Sequence, residues 1–169
     1  MPHVYYSTLL AGGKRSLKVV DAPGLAHGFN PHFFYQPHHT AGTTRCAFDM
    51  RIEPGVVMYH EWRDDASPYR IGPSLWLQGG KLRAGGKQLM ELPTGVWVHV
   101  EITAGLGGQS TGTWDLAVTL PGRQPEVFRG LPNGSPEWRK LDWLGFSSSA
   151  NQKTVYYLDN IELGDSAEK

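Results

Sequence analysis

A chain of 169 residues and 18.7 kDa is the size of one domain, and its 16 basic residues only balance its 16 acidic ones, which excludes a general nucleic-acid binder and a polybasic membrane patch. With 21 Gly and 12 Pro the chain is too rich in turn residues for a helical bundle, and with 6 Trp, 7 Tyr and 6 Phe it is too aromatic for disorder. Its one cysteine, Cys46, excludes an internal disulfide.

Taken in order, nearly every segment alternates with period two, the pattern of half-buried strands. Residues 15–20 form a short strand ended by Asp21-Ala22-Pro23-Gly24. Residues 21–42 read as a loop. In 43–52, Cys46, Phe48, Met50 and Ile52 share one face, while Arg45, Asp49 and Arg51 share the other. After the turn Pro54-Gly55, residues 57–63 place Met58, His60 and Trp62 inward and Tyr59, Glu61 and Arg63 outward. That orientation keeps two charges out of the core, where burying them unpaired costs several kcal/mol. An odd-length connection then makes 43–52 and 57–63 neighbours in one sheet. Residues 73–78 follow, and 81–92 read as a hairpin about Ala84-Gly85-Gly86. The clearest strand is 96–103, with Val98, Val100 and Ile102 inward and Trp97, His99 and Glu101 outward. Residues 104–112 read as a loop, and 113–120 put Trp114, Leu116 and Val118 on one face. The one helix signal is Ser135-Pro136-Glu137-Trp138, with Ser as cap and Pro at the first position, and it supports at most one short helix near 135–139. Strands at 143–148 and 154–163 close the chain, with Trp114 and Trp143 in the core, and 164–169 read as a polar tail.

Some nine to eleven short strands between Gly/Pro turns predict an all-β fold, a two-sheet antiparallel β-sandwich of jelly-roll type. The core spans about residues 14–163 of a single domain covering 1–169.

Several phrases in fixed order carry a resemblance: Gly95-Val96-Trp97-Val98-His99-Val100-Glu101-Ile102, then Thr113-Trp114-Asp115-Leu116-Ala117-Val118, then Leu141-Asp142-Trp143-Leu144-Gly145-Phe146, then Tyr156-Tyr157-Leu158-Asp159-Asn160-Ile161-Glu162-Leu163. This order resembles the concanavalin A-like (laminin-G-like) jelly rolls found as modules in secreted bacterial polysaccharide-active and surface proteins. The resemblance implies glycan binding and an extracellular or cell-surface place within a larger secreted chain. The first twenty residues lack the pattern of a signal peptide, and no apolar run is long enough to span a membrane.

The candidate ligand-binding residues are Asp49, Arg51, Tyr59, Glu61, Arg63, Trp76 and Gln78. Aromatic rings cover the C–H face of a pyranose, and planar bidentate groups satisfy its hydroxyls or a uronate. A solvated sheet face with weak cross-strand ion pairs uses the same residues and stays open. So does catalysis: Glu61 with Asp49 or Glu101 supplies two carboxylates for a hydrolase, and His99 or Tyr59 a base for a lyase. Laminarinase-type relatives carry acids at alternate positions of one strand; here that alternation gives Glu61, Arg63 and Asp65, with a cation in the middle.

The inward set of the last strand reads Val155, Tyr157, Ile161 and Leu163, which puts Asp159 on the core face. A structural Ca²⁺ resolves that burial, and so do hydrogen bonds from loop amides. The resemblance also implies Ca²⁺ near this Asp-Asn pair. The seven histidines, His3, His27, His32, His38, His39, His60 and His99, lack the spacing of a closed zinc site, and Cys46 reads as a buried thiol. The leading expectation is a non-catalytic lectin-like module for a polysaccharide or oligosaccharide. A hydrolase or lyase using Glu61 and a structural or protein-binding laminin-G-like domain are the alternatives.

Overall fold

The computed structural model describes residues 4–7 and 15–166; His3 and the end of the tail, 167–169, lie outside them. The described residues form thirteen strands: β1 (Val4–Ser7), β2 (Ser16–Asp21), β3 (His32–Tyr35), β4 (Gly42–Ile52), β5 (Val57–Arg63), β6 (Ile71–Gln78), β7 (Lys81–Ala84), β8 (Lys87–Glu91), β9 (Trp97–Leu106), β10 (Thr113–Thr119), β11 (Glu126–Pro132), β12 (Trp143–Ser148) and β13 (Thr154–Asp165). They form two antiparallel layers. The larger sheet runs β1-β2-β13-β4-β9-β10-β11 and the smaller β3-β12-β5-β6-β7-β8. The helical content of the described residues is a single 3-10 turn, Gly107–Gln109, and no helix among them is long and apolar enough to cross a membrane.

Alternation seals the interior. The larger sheet contributes Phe48, Met50, Val100, Ile102, Trp114 and Leu116, the smaller Met58, Trp62, Leu75, Leu77, Leu144 and Phe146, all essentially buried. Each such side chain contributes about 1.5–3 kcal/mol of burial. Cys46 is part of this core, and burial pushes its thiol up to about 12. The two layers are clasped at one end: Ser148 at the end of β12 donates its hydroxyl to Asp21 of β2 at 2.7 Å. The amides of Ala22 and Ala150 donate to the same buried carboxylate at 2.8 Å each.

Strands β4 and β5 are not neighbours. β4 lies between β13 and β9, while β5 lies between β12 and β6. The turn at Pro54-Gly55 therefore carries the chain from one sheet to the other. Two strands that point apolar residues at one core show the same alternation whether they sit side by side or face to face, so the pattern gives the inward set correctly and the pairing wrongly.

In β13 the inward residues are Thr154, Tyr156 and Leu158, and Asp159 is on the outer face. The register shifts between Asp159 and Glu162, where Asn160 adopts φ 50°. Beyond this bulge Ile161 and Leu163 pack against the core. The odd-numbered parity holds after the bulge and fails before it, because one inserted residue reverses the faces. Gly164 and Asp165 pair with Arg45 and Thr44, so the strand continues into the segment expected to be a tail.

Segment 135–139 is a turn instead of a helix. The Trp138 amide donates to the Ser135 carbonyl at 3.1 Å, and the Ser135 hydroxyl accepts the Ile71 amide at 3.0 Å. Ser135 thus caps the start of β6. The Trp138 ring lies on Gly72, where any Cβ would come within 2.5 Å of it. Strands β3 and β11 fall where no strand is expected. The first is hidden between prolines, and the second is an edge strand with most of its side chains exposed and Gly130 at φ 68°.

Candidate functional site

The outer face of the smaller sheet gathers the site. Register places His32, Ser147, Tyr59, Trp76 and Arg83 in one row across β3, β12, β5, β6 and β7. Phe34, Gly145, Glu61 and Ser74 form the next row, and Trp143 lies opposite Arg63 beyond it. Tyr59 and Trp76 stack with ring centroids 4.9 Å apart. Trp76 remains 43% exposed, although β6 buries Leu75 and Leu77 on either side of it.

Arg63 is clamped. Its guanidinium carbon lies 4.1 Å from the Trp143 ring centroid and 4.2 Å from that of Tyr69, so an aromatic face covers each side. Its Nε donates to Glu61 at 2.6 Å, and the Ser74 hydroxyl donates to the other Glu61 oxygen at 3.4 Å. The stack continues outward: Phe34 lies on Trp143 at 5.6 Å and His32 on Phe34 at 6.2 Å. Gly145 makes this possible, since any Cβ there would strike the Trp143 ring. Glycine in mid-strand marks such close approaches.

The loop carrying Tyr69 is pinned at its base by Asp64, which is buried beneath it. Burial alone would raise this carboxyl, but the Arg70 amide, the Arg70 side chain and the Ala66 amide all donate to it and hold it below the ordinary range. The same loop is tied to the start of β12, where the Asp65 amide donates to Asp142 at 3.1 Å.

Two hollows flank Trp76 and Gln78. One, about 190 Å³, is lined by Trp76, Gln78, Arg83, Ala84, Gly85 and Gly86. The other, about 390 Å³, is bounded by Gly55, Val57 and the segment Ser149 to Gln152.

Of the seven candidate ligand-binding residues, Tyr59, Glu61, Arg63, Trp76 and Gln78 share this face. Asp49 and Arg51 do not: β4 carries them on the outer face of the larger sheet. There Asp49 pairs with His99 at 2.7 Å and accepts the Asn160 side-chain amide at 2.7 Å, and Arg51 pairs with Glu53 at 3.3 Å. Arg45 grips Glu101 through two bonds of 2.8 Å, hydrogen bonds that hold this carboxyl below the usual range. Glu61 therefore cannot flank a glycosidic bond together with Asp49 or Glu101, because two sheets packed about 10 Å apart lie between them. His99 is removed from Glu61 in the same way.

Among the described residues no three His, Cys, Asp or Glu side chains converge as a metal site. The burial that singled out Asp159 for Ca²⁺ is not found. Asp159 is on the outer face, where one of its oxygens accepts the Asn160 amide at 2.8 Å. His38 lies 3.2 Å from Asp142, and His39 lies 2.8 Å from the Thr44 hydroxyl. His60 points inward with both ring nitrogens bonded, to the Gly145 carbonyl and the Trp62 indole N–H at 2.9 Å each.

Sequence reasoning missed Phe34, Tyr69, Arg83 and the outward placement of Trp143. Arg83 alternates outward in Lys81 to Ala84, a signal short enough to pass over. Trp143 alternates with Gly145, and that small neighbour is the mark of an overlying ring.

No protein-family profile matches the chain, and no curated protein matches it in sequence. Solved structures do share its fold. An endo-beta-1,4-glucuronan lyase from the fungus Trichoderma reesei superposes with a TM-score of 0.67 at 11% identity, covering 96% of this chain and 87% of that one. A PL-14 alginate lyase from Aplysia kurodai gives 0.65 at 11%, with the same coverage of 96% and 87%. A carbohydrate esterase from the Shiga toxin-encoding bacteriophage phi24B gives 0.65 at 9%, covering 98% and 88%. At these identities the likeness is one of fold: a two-sheet jelly-roll β-sandwich.

Proposed function

We propose that the protein is a lectin-like, non-catalytic module that holds a polysaccharide or oligosaccharide on the outer face of its smaller sheet. Rings of the saccharide stack on Trp76, backed by Tyr59, while Gln78 and Arg63, the latter held in place by Glu61, serve its hydroxyls. The observation that carries this reading is the exposed Trp76, stacked on Tyr59 and flanked by two hollows. An indole costs free energy to leave in water, and stacking against a sugar's C–H face recovers it. Solved structures of the same fold include proteins named for action on glucuronan, alginate and other carbohydrates, which is in keeping with a saccharide partner. The place of work under this reading is outside the cell, as part of a larger secreted chain.

Binding is favoured over turnover by the state of Glu61. It is 7% exposed and already engaged by Arg63 and Ser74. The partner carboxylates considered for it belong to the opposite face. Affinity electrophoresis through gels containing neutral and acidic polysaccharides tests the proposal. Retardation that Trp76→Ala abolishes is expected. Equal migration in every gel, or retardation indifferent to that substitution, refutes it. Cleavage of a retarding polymer that Glu61→Gln abolishes would establish the enzymatic reading in its place.

A further inference from the structure

The charge of the ligand can be read from the arginines. Five arginines of the described residues project from strands: Arg45, Arg51, Arg63, Arg83 and Arg129. Four have carboxylate partners, namely Glu101, Glu53, Glu61 and Asp115. Arg83 has none among the described residues. It stands beside Trp76 in the sheet, its side chain exposed, and lines the hollow of about 190 Å³ with Gln78 and the Gly85-Gly86 turn. The acid on the neighbouring edge strand, Glu91, is placed opposite Lys81 instead.

The pieces have complementary chemistry. The indole offers a flat apolar surface, Gln78 a donor and an acceptor, and Arg83 a planar cationic fork that matches a carboxylate or sulfate in a bidentate way. The geometry points to an anionic sugar residue in this hollow: its ring stacks on Trp76, its hydroxyls meet Gln78, and its carboxylate or sulfate ester pairs with Arg83. This assignment rests on the saccharide-binding reading and adds the charge class of the ligand. Arg63 does not serve as the anion's partner, because Glu61 already neutralises it and two rings cover its faces.

The test uses binding to polygalacturonate and alginate, to the carboxyl-reduced forms of both, and to dextran sulfate beside neutral dextran. The wild-type protein is expected to bind an anionic polymer at least tenfold more tightly than its neutral counterpart. Arg83→Gln is expected to erase that difference while leaving the melting midpoint unchanged. Preference for the uronate polymers identifies a carboxylate as the recognised group, and preference for dextran sulfate a sulfate ester. Raising salt from about 50 to about 500 mM should weaken the wild type more than Arg83→Gln. Equal affinity for charged and neutral polymers overturns the inference, as does discrimination that survives Arg83→Gln. If Trp76→Ala still abolishes binding in those cases, the charge assignment alone has failed. If Trp76→Ala changes nothing, the saccharide-binding reading has failed with it.

Discussion

Acid should destabilise this fold through one residue. His60 is fully buried between Phe48, Phe146 and Trp62, with ring centroids 5.2, 4.3 and 6.5 Å away. Its Nδ1–H donates to the Gly145 carbonyl and its Nε2 accepts from the Trp62 indole, so the neutral ring satisfies both partners. A proton added at Nε2 would face a donor. Burial is the larger influence and lowers the imidazole from 6.5 to about 3, with the bond to Gly145 acting weakly the other way. The unfolded chain therefore binds this proton more readily than the folded one. The associated stability is complete above the unfolded value, falls as pH drops through the window from 6.5 towards 3, and is lost below it. Each pH unit in the window costs about 1.4 kcal/mol, so the loss at pH 5 is about 2 kcal/mol, a sizeable part of the 5–15 kcal/mol that typically holds a domain together. Urea denaturation at pH 7.5, 6.5, 5.5 and 5.0 measures it. The same series on His60→Gln, whose amide can both donate to Gly145 and accept from Trp62 but does not titrate, isolates the residue. Contributions common to both proteins cancel in the comparison. The wild type should lose about 2 kcal/mol more than the variant between pH 7.5 and pH 5. Equal losses would refute the argument.

Three further outcomes are expected. Gly145→Ala should drive the Trp143 ring from its place between Phe34 and Arg63, cost about 1–3 kcal/mol of stability and weaken saccharide binding, as read by urea denaturation and affinity electrophoresis. Ser148→Ala should deprive the buried Asp21 carboxylate of one of its donors for about 1–3 kcal/mol, lowering the calorimetric midpoint by roughly 2–4 °C per kcal/mol. Arg63→Lys should weaken binding about tenfold at nearly unchanged fold, because an ammonium cannot fill a flat slot between two rings while reaching Glu61; unchanged affinity would show that the clamp takes no part.

The all-β class, the two layers and the inward sets of β4, β5, β9 and β10 were legible because alternation directly records which face is wet. The pairing of strands was not. Phe48 and Met58 carry the same signal whether their strands share a sheet or confront each other across the core, so Asp49 and Arg51 were grouped with a face from which they point away. A bulge is equally silent: Asn160 looks like any polar residue, yet it reverses the parity that decides where Asp159 goes. Five members of the candidate site came from one run in β5 and one in β6, where local pattern suffices. Phe34, Tyr69 and Arg83 join them only through tertiary pairing of β3, the 64–70 loop and β7.

The clamping of Arg63 bears on how sharply this face can discriminate. A free arginine gives up about 2 kcal/mol of rotameric freedom when a ligand immobilises it, and its long stem lets it follow a poorly seated molecule. Between Tyr69 and Trp143, with Nε tethered, that freedom is surrendered during folding. Under the proposed reading an arriving sugar meets a stationary guanidinium at Arg63: one in the right pose loses little to further ordering there, and one in the wrong pose cannot draw that group across to meet it.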